Sequence, residues 1–353
     1  MTKQLNNFGG GINLKRNTKN KNNKKKIILI IIAALLIPFL IYGGSFAYRL
    51  YSLYSSIYQP IDDEDFEPID PNDLLDDEEI DGEDVPLDQV EKYKYEDDKY
   101  YNKERSPKDP NKLNILLIGV DSRTIGGVGR ADSIMVVQYN KSTKKSAILS
   151  IPRDTFVRIP GRGYDKINHS FAFGRTRLLK ETVENYLDIH IDHYVQVDMQ
   201  SFVKAVDTIG GITVNVPEDM IDYNDNVLFR KGTHHMNGEQ VLRYVGARKL
   251  KSGGGSDFGR IRRQQQVIAI ILNKIIKEYS LNQTLKVMED ISPYIRTDIT
   301  PMTVINNWSA FTSLNVNEIK METLTGTGFI HNRVFYLRIP VSEAREKMAN
   351  LTE

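Results

Sequence analysis

The chain has 353 residues, 26% of them charged and 40% hydrophobic, a length that supports one large or two small domains with a substantial core. It contains no cysteine, which excludes disulfides, thiolate nucleophiles and cysteine-ligated metals. The formal net charge of +1 conceals a segregation: residues 1–26 carry eight Lys or Arg and no acid, Asp62 to Asp98 carries nineteen acids against two lysines, and residues 100–353 carry about +8, a balance that favours anionic ligands.

Residues 1–26 are rich in Asn and Lys without hydrophobic periodicity and read as a disordered, cytoplasmic basic tail. From Ile27 to Tyr48 no charge interrupts twenty-two residues. A helix of that length reaches about 33 Å, enough to span a bilayer. Lys24, Lys25 and Lys26 precede it and acids follow, so the positive-inside rule places residues 27–48 as a transmembrane helix with the C-terminal bulk outside the cytoplasm. The competing reading, a cleaved signal peptide, fits less well: the run is longer than a signal core and no clear small-x-small site follows. Residues 49–110 are expected to be an acidic extracytoplasmic linker, and the proline-punctuated stretch Ile61 to Val90 within it an extended, self-repelling spacer.

The folded domain is expected over residues 111–349, with strands and helices mixed. Ile115–Gly119, Ser133–Tyr139 and Ser146–Ile151 have strand character, and a glycine-rich loop separates the first two. If the three form an antiparallel meander, Asp121, Asp132 and Arg153 gather at one rim of the sheet. Two carboxylates and a guanidinium there suit a divalent cation and a phosphate. Farther on, helices are predicted over Arg177–Leu187, Ser201–Ile209 and Gln264–Lys277, and strands over Asp192–Val197, Ile212–Val216 and Val334–Ile339. Gln264–Lys277 is apolar on much of its circumference, so it is buried on several sides or lines an apolar cavity.

A second basic cluster spans Leu242 to Gln266. Arg248 follows a strand-like run, Lys251–Ser256 is a flexible stretch, and Asp257, Gly259, Arg260 and Arg263 open the apolar helix. Offsets of three and four place Arg260, Arg263 and Gln264 on one helical face, near an N-terminus that already favours an anion. Arginine suits phosphate because its planar fork grips oxygens in pairs; the alternative is a solvated basic face. Lys166 and Asn168 either touch a ligand or cap the following helix. His234 and His235 lack metal-ligand spacing, and no Walker loop, Rossmann fingerprint or GxSxG elbow occurs.

The ordered segments GVDSR, GRADSIMV, SIPRDT, DKINHSFAFG, VDTIGGITVNVP and DFGRIRRQQQ, behind a single apolar segment, resemble the LytR-CpsA-Psr family of Gram-positive cell-envelope proteins over about Asn114 to Leu272. The resemblance implies an α/β fold, a mixed α-β-α sandwich whose central mixed sheet is flanked by helices enclosing an apolar lipid tunnel. It also implies a magnesium-dependent (Mg2+ or Mn2+) phosphotransferase, with a possible pyrophosphatase side activity, that moves a teichoic acid or capsule type glycopolymer from a polyprenyl-pyrophosphate carrier to peptidoglycan. The expected partners are therefore that carrier-linked polymer, peptidoglycan and the membrane bilayer, with no nucleic acid. Carried over residue by residue, Asp121 and Asp132 look like the metal ligands, and Asp121, Arg153, Arg248, Asp257 and Arg260 form the catalytic set. Arg130, Lys166, Asn168, Arg263, Gln264 and Gln265 form the substrate-binding set. The proton acceptor is Asp257, Asp154 or a metal-bound carboxylate. One departure stands out: Gly246 occupies the place of the first arginine in the family's Tyr-Val-Arg-x-Arg run, and Arg243, on the opposite face if the segment is a strand, does not replace it. That departure leaves room for a non-catalytic polyprenyl-phosphate or wall-polymer binding protein; a third reading, a membrane-bound transcriptional attenuator acting through the basic helix Arg260 to Gln266, is opposed by the expected topology, which puts that helix outside the cell.

Overall fold

Three strands form the spine of the fold, and alternating side chains explain why. In β1 (Lys112–Val120) Leu116, Ile118 and Val120 are buried while Ile115 and Leu117 are half-buried, so the strand carries two apolar faces of unequal depth. β2 (Ala131–Asn140) and β3 (Ser146–Ile151) continue the antiparallel meander, close to the predicted bounds. The computed structural model describes residues 45–61, 83–120, 129–247, 250–251, 257–300, 303 and 318–353. It resolves into two compact units, 1–52 and 53–353, and the fold and site belong to the second. Residues 27–44 of the expected membrane segment lie outside the described residues, and no described helix is long and apolar enough to cross a membrane.

In chain order the elements are α1 (Leu87–Tyr101), β1 to β3, β4 (Phe156–Ile159), β5 (Gly163–Lys166), α2 (Ile167–Leu187), β6 (His193–Asp198), α3 (Met199–Thr208), β7 (Ile212–Val216), β8 (Met220–Ile221), β9 (Val227–Phe229), β10 (Gly232–Met236), α4 (Gly238–Gly246), α5 (Asp257–Glu278), α6 (Leu281–Ile291), β11 (Ile295–Thr297), β12 (Lys320–Thr323), β13 (Thr327–His331), β14 (Val334–Arg338) and α7 (Val341–Ala349). The main sheet has the order β11-β6-β1-β2-β3-β12, with β6 parallel to β1 and β12 parallel to β3. It is therefore mixed, as expected.

One face of this sheet packs on α2 and α7, burying Leu116, Ile118, Ile134, Val136, Leu149 and Ile151 with Phe171, Leu179, Val183 and Ala344. Each of the large side chains among them, Ala344 aside, contributes roughly 1.5–3 kcal/mol of burial. The second face carries Ile115, Leu117, Val137, Val195 and Val197, all half-buried and outside that cluster. A separate cluster joins α3, β7, β10, α4 and α6 to α5 through Val206, Ile212, Val214, Val241, Tyr244, Val287 and Val267. The long apolar helix thus meets a core on part of its circumference.

Three expectations are corrected. The domain begins before residue 111, because α1 is packed into it: Val90 joins Phe156 and Phe329, and Asp97 forms a two-pronged ion pair with Arg338 of β14 at 2.7 and 3.1 Å. The Gln59 N–H donates to the Thr297 carbonyl and the Val85 N–H to the Ile330 carbonyl, while residues 62–82 of the expected spacer lie outside the described residues. The helix expected over Arg177–Leu187 starts earlier, at Ile167, with a break at Gly174 and Arg175; a Cβ on Gly174 would meet Leu178 Cβ at 2.5 Å. The strand-like run before Arg248 is α4, a helix. Asn237 accepts from the Gln240 N–H while the Gln240 side chain accepts from the Asn237 N–H, and this reciprocal cap nucleates the helix ahead of any alternation. Arg243 and Gly246, three residues apart, are consequently both exposed on neighbouring positions of one helix.

Candidate functional site

Strand register builds the centre of the site. The β2–β3 ladder ends at the pair Ile134–Ile151, and the turn that follows at Pro152 brings Arg153 against Asp132 at the start of β2. Their side chains form an ion pair, Arg153 Nη1 to Asp132 Oδ1 at 3.0 Å, and Arg153 Nε lies 3.4 Å from Asp154 Oδ2. On the neighbouring strand Gly119 faces Ser133 so closely that a Cβ there would lie 2.8 Å from Ser133 Cβ, and the ladder shifts between Gly119 and Val120. Val120 pairs with Ala131, the neighbour of Asp132. Asp121 itself lies outside the described residues, as does Arg248.

The first turns of α5 close the other side. Asp132, Ser133, Arg153, Arg260 and Gln264 line a tight cleft over an apolar floor of Ile134, Met135 and Ile151. Arg260 is buried and its Nη2 donates to the Asp132 carbonyl at 3.5 Å. Arg260 and Gln264 share the cleft because an offset of four keeps two helical side chains aligned. Arg130 is half-buried just before β2, and Asp257 opens α5.

Four of the expected substrate-binding residues turn elsewhere. Arg263 lies 100° round the helix from Gln264. It donates from Nε to the Tyr244 carbonyl at 2.9 Å and from Nη2 to the Ala247 carbonyl, capping the end of α4, and burial lowers its pKa from the ordinary arginine value. Gln265 is buried, with Nε2 donating to Ser150 Oγ at 2.9 Å, the Glu322 carbonyl at 3.1 Å and Thr323 Oγ1 at 3.2 Å, which fastens α5 to β3 and β12. Lys166 has a 3% exposed side chain whose ammonium lies 3.2 Å from Asp154 Oδ1. It occupies the N-cap position of α2 without any side-chain capping bond, and an ammonium has no acceptor for one. Asn168 is 1% exposed; its N–H donates to the Arg153 carbonyl at 3.2 Å, and its amide oxygen is buried without a partner among the described residues.

Sequence reasoning missed Ser133 as a cleft residue and Gln266 as the link from Tyr244 to Asn215. Tyr244 Oη donates to Gln266 Oε1 at 2.7 Å, and Gln266 Nε2 donates to the Asn215 carbonyl at 3.1 Å. The run of three glutamines after Arg263 was the available signal: successive polar residues at the start of an apolar helix face three directions and need three sets of partners.

A negative carboxylate beside two guanidinium groups is a set of charges whose chemistry suits a phosphate together with a cation. Asp132 is the carboxylate that lines the cleft, with hard oxygen atoms of the type magnesium or manganese takes, and its Oδ1 is paired with Arg153; no group of three or more acidic or histidine ligands occurs among the described residues.

Comparison with known proteins follows the same lines. The sequence model of the LytR_cpsA_psr family matches residues 85–353. The polyisoprenyl-teichoic acid–peptidoglycan teichoic acid transferase TagU of Bacillus subtilis is 38% identical over 247 residues, covering 70% of this chain and 78% of that protein. The regulatory protein MsrR of Staphylococcus aureus (strain Mu50) is 35% identical over 219 residues, 62% of this chain and 65% of its own length. Among solved structures, TagT bound to LIIa-WTA superposes with a TM-score of 0.57 at 28% identity, covering 71% of this chain and 93% of its own. Bacillus subtilis TagU does so with a TM-score of 0.53 at 34% identity, covering 69% and 97%.

Proposed function

The chain belongs to the LytR-CpsA-Psr family, and we propose that it is a transferase moving a phosphate-linked glycopolymer from a polyprenyl-pyrophosphate carrier to peptidoglycan. The observation that carries this reading is the cleft in which Asp132 and Arg153 form an ion pair alongside Arg260 and Gln264. Arg153 and Arg260 bind the pyrophosphate and offset the charge that gathers on its oxygens as the polymer phosphate departs. Gln264 orients the phosphate by hydrogen bonding. Asp132, with Asp121, holds magnesium, which when bound neutralises pyrophosphate oxygens. Asp257 at the start of α5 takes the proton of the acceptor hydroxyl; Asp154 is committed to Arg153 and Lys166 and is unsuited to that role.

The half-buried second face of the sheet, with Leu117, Val137 and Val195, and the apolar flank of α5 supply walls for a polyprenyl chain. The domain works outside the cytoplasm, anchored by residues 27–48. Incubating the purified full-length chain with a polyprenyl-pyrophosphate-linked teichoic acid donor and peptidoglycan tests the proposal: transfer should require a divalent cation and should vanish in Asp132→Asn and Arg153→Ala. Transfer unaffected by both substitutions contradicts the site. An enzymatic reporter fused after Glu353 and active only in the cytoplasm contradicts the topology. A second reading, a polymer-binding member without turnover, draws on Gly246, whose exposed position carries no side chain to contact phosphate.

A further inference from the structure

A row of alternating charges runs inward from the cleft. Side-chain exposure falls along it, from 15% at Asp132 to 12% at Arg153, 11% at Asp154 and 3% at Lys166. The links are Asp132 to Arg153 at 3.0 Å, Arg153 to Asp154 at 3.4 Å and Asp154 to Lys166 at 3.2 Å. We propose that Lys166, acting through Asp154, is a positioning residue that sets where the Arg153 guanidinium points. The inference rests on Arg153 being a pyrophosphate ligand, as proposed above.

The backbone around Arg153 is pinned independently of these charges. Thr155 donates to Pro152, Asn168 donates to Arg153, and Leu337 donates to Asp154. The arginine side chain carries its own contacts, with Nη1 toward Asp132 and Nε toward Asp154. In a poorly solvated setting, an unpaired Asp154 would attract the guanidinium strongly, since Coulomb energy between unit charges rises as the local dielectric falls. Lys166 divides that attraction. With the Lys166 ammonium on Asp154 Oδ1 at 3.2 Å, Asp154 turns Oδ2 toward Arg153 Nε at 3.4 Å, and Arg153 Nη1 reaches Asp132 at the rim at the shorter distance of 3.0 Å. The burial of Lys166 makes this arrangement specific, because a 3% exposed ammonium is turned to Asp154 and away from open solvent.

The test is binding of geranylgeranyl pyrophosphate, in the presence of magnesium chloride, to the detergent-solubilised full-length chain by titration calorimetry. Arg153→Ala is the control for the site, and Lys166→Met, Lys166→Arg and the double variant Asp154→Asn with Lys166→Met probe the row. Losing one charge-assisted contact corresponds to about tenfold in affinity, so Lys166→Met should bind about tenfold more weakly than the unaltered chain. Lys166→Arg should restore affinity to within about threefold, and the double variant, which removes both charges, should bind better than Lys166→Met alone. A loss of packing alone would not be rescued by deleting a second charge. If Arg153→Ala is impaired and Lys166→Met binds like the unaltered chain, the positioning role is wrong and the site stands. If Arg153→Ala binds normally, the site assignment itself is wrong. Should Lys166→Met fail to fold, the double variant decides: near-normal binding supports the role, and a loss as large as that of Arg153→Ala overturns it.

Discussion

Replacing Arg263 by methionine separates a structural arginine from a ligand-binding one. The substitution keeps most of the aliphatic stem and removes the guanidinium, which donates to the Tyr244 carbonyl at 2.9 Å and to the Ala247 carbonyl at the end of α4. It also removes a cation over the Tyr244 ring, 5.9 Å from its centroid. A hydrogen bond from a charged donor contributes about 1.5–3 kcal/mol, and an orphaned buried carbonyl costs about 1–3 kcal/mol. Relief of the burial that lowers the Arg263 pKa offsets part of the loss. The net expectation is a destabilisation of about 3 kcal/mol, or roughly 6 °C in Tm at about 2 °C per kcal/mol for a domain of this size. Urea unfolding followed by circular dichroism measures it, alongside affinity for geranylgeranyl pyrophosphate. A variant of unchanged stability that has lost affinity refutes the capping argument and returns Arg263 to the cleft.

Gly246→Arg should be tolerated, since a Cβ there meets nothing within 4 Å, and should stabilise the last turn of α4 by about 0.5–1 kcal/mol through helix propensity and the helix dipole; thermal melting checks this, and tighter pyrophosphate binding would identify the glycine as a weakened contact. Asp188, the left-handed C-cap of α2 with φ 56°, is pushed up by burial, but hydrogen bonds from the Ser106 N–H and hydroxyl, with Arg345 and Arg105, bring its pKa below the ordinary aspartate value. Its folded pKa is thus depressed, so its contribution is present above the ordinary aspartate pKa and is lost as pH falls through the folded value. Asp188→Asn, which tolerates the left-handed backbone, should flatten that acid limb of stability against pH, and an unchanged limb would count against the assignment. Asp132→Asn should weaken magnesium binding by about tenfold or more, read by calorimetry without donor, because a neutral amide oxygen is a poorer hard-cation ligand than a carboxylate.

The meander and its rim were legible in the sequence because strand alternation is local. Once β2 and β3 pair antiparallel with Ile134 opposite Ile151, Asp132 and the turn carrying Arg153 fall at the same end of the sheet, and the two side chains meet there at 3.0 Å. The amphipathic spacing of α5 likewise announced a buried helix and put Arg260, Arg263 and Gln264 on one face, of which Arg260 and Gln264 line the cleft and Arg263 turns to the end of α4. The α4 helix was legible too, through the Asn237 and Gln240 capping pair, but a short apolar–polar alternation in Leu242 to Val245 imitates a strand.

Tertiary structure alone decided the rest. Nothing local in β6 or β12 says that they lie parallel to β1 and β3, since parallel partners are joined through distant chain. The acidic composition before residue 111 hid α1, whose Asp97 is held in the interior by Arg338, 241 residues away. The same limit governs the charged residues near the cleft. Sequence determined that Lys166, Arg263 and Gln265 are polar groups near a phosphate-type rim. Whether each faces the ligand or an internal carboxylate or carbonyl depends on which buried acceptor lies within hydrogen-bond distance, and only the packing of α5 and α2 against strands and helices far away in the chain supplies that acceptor.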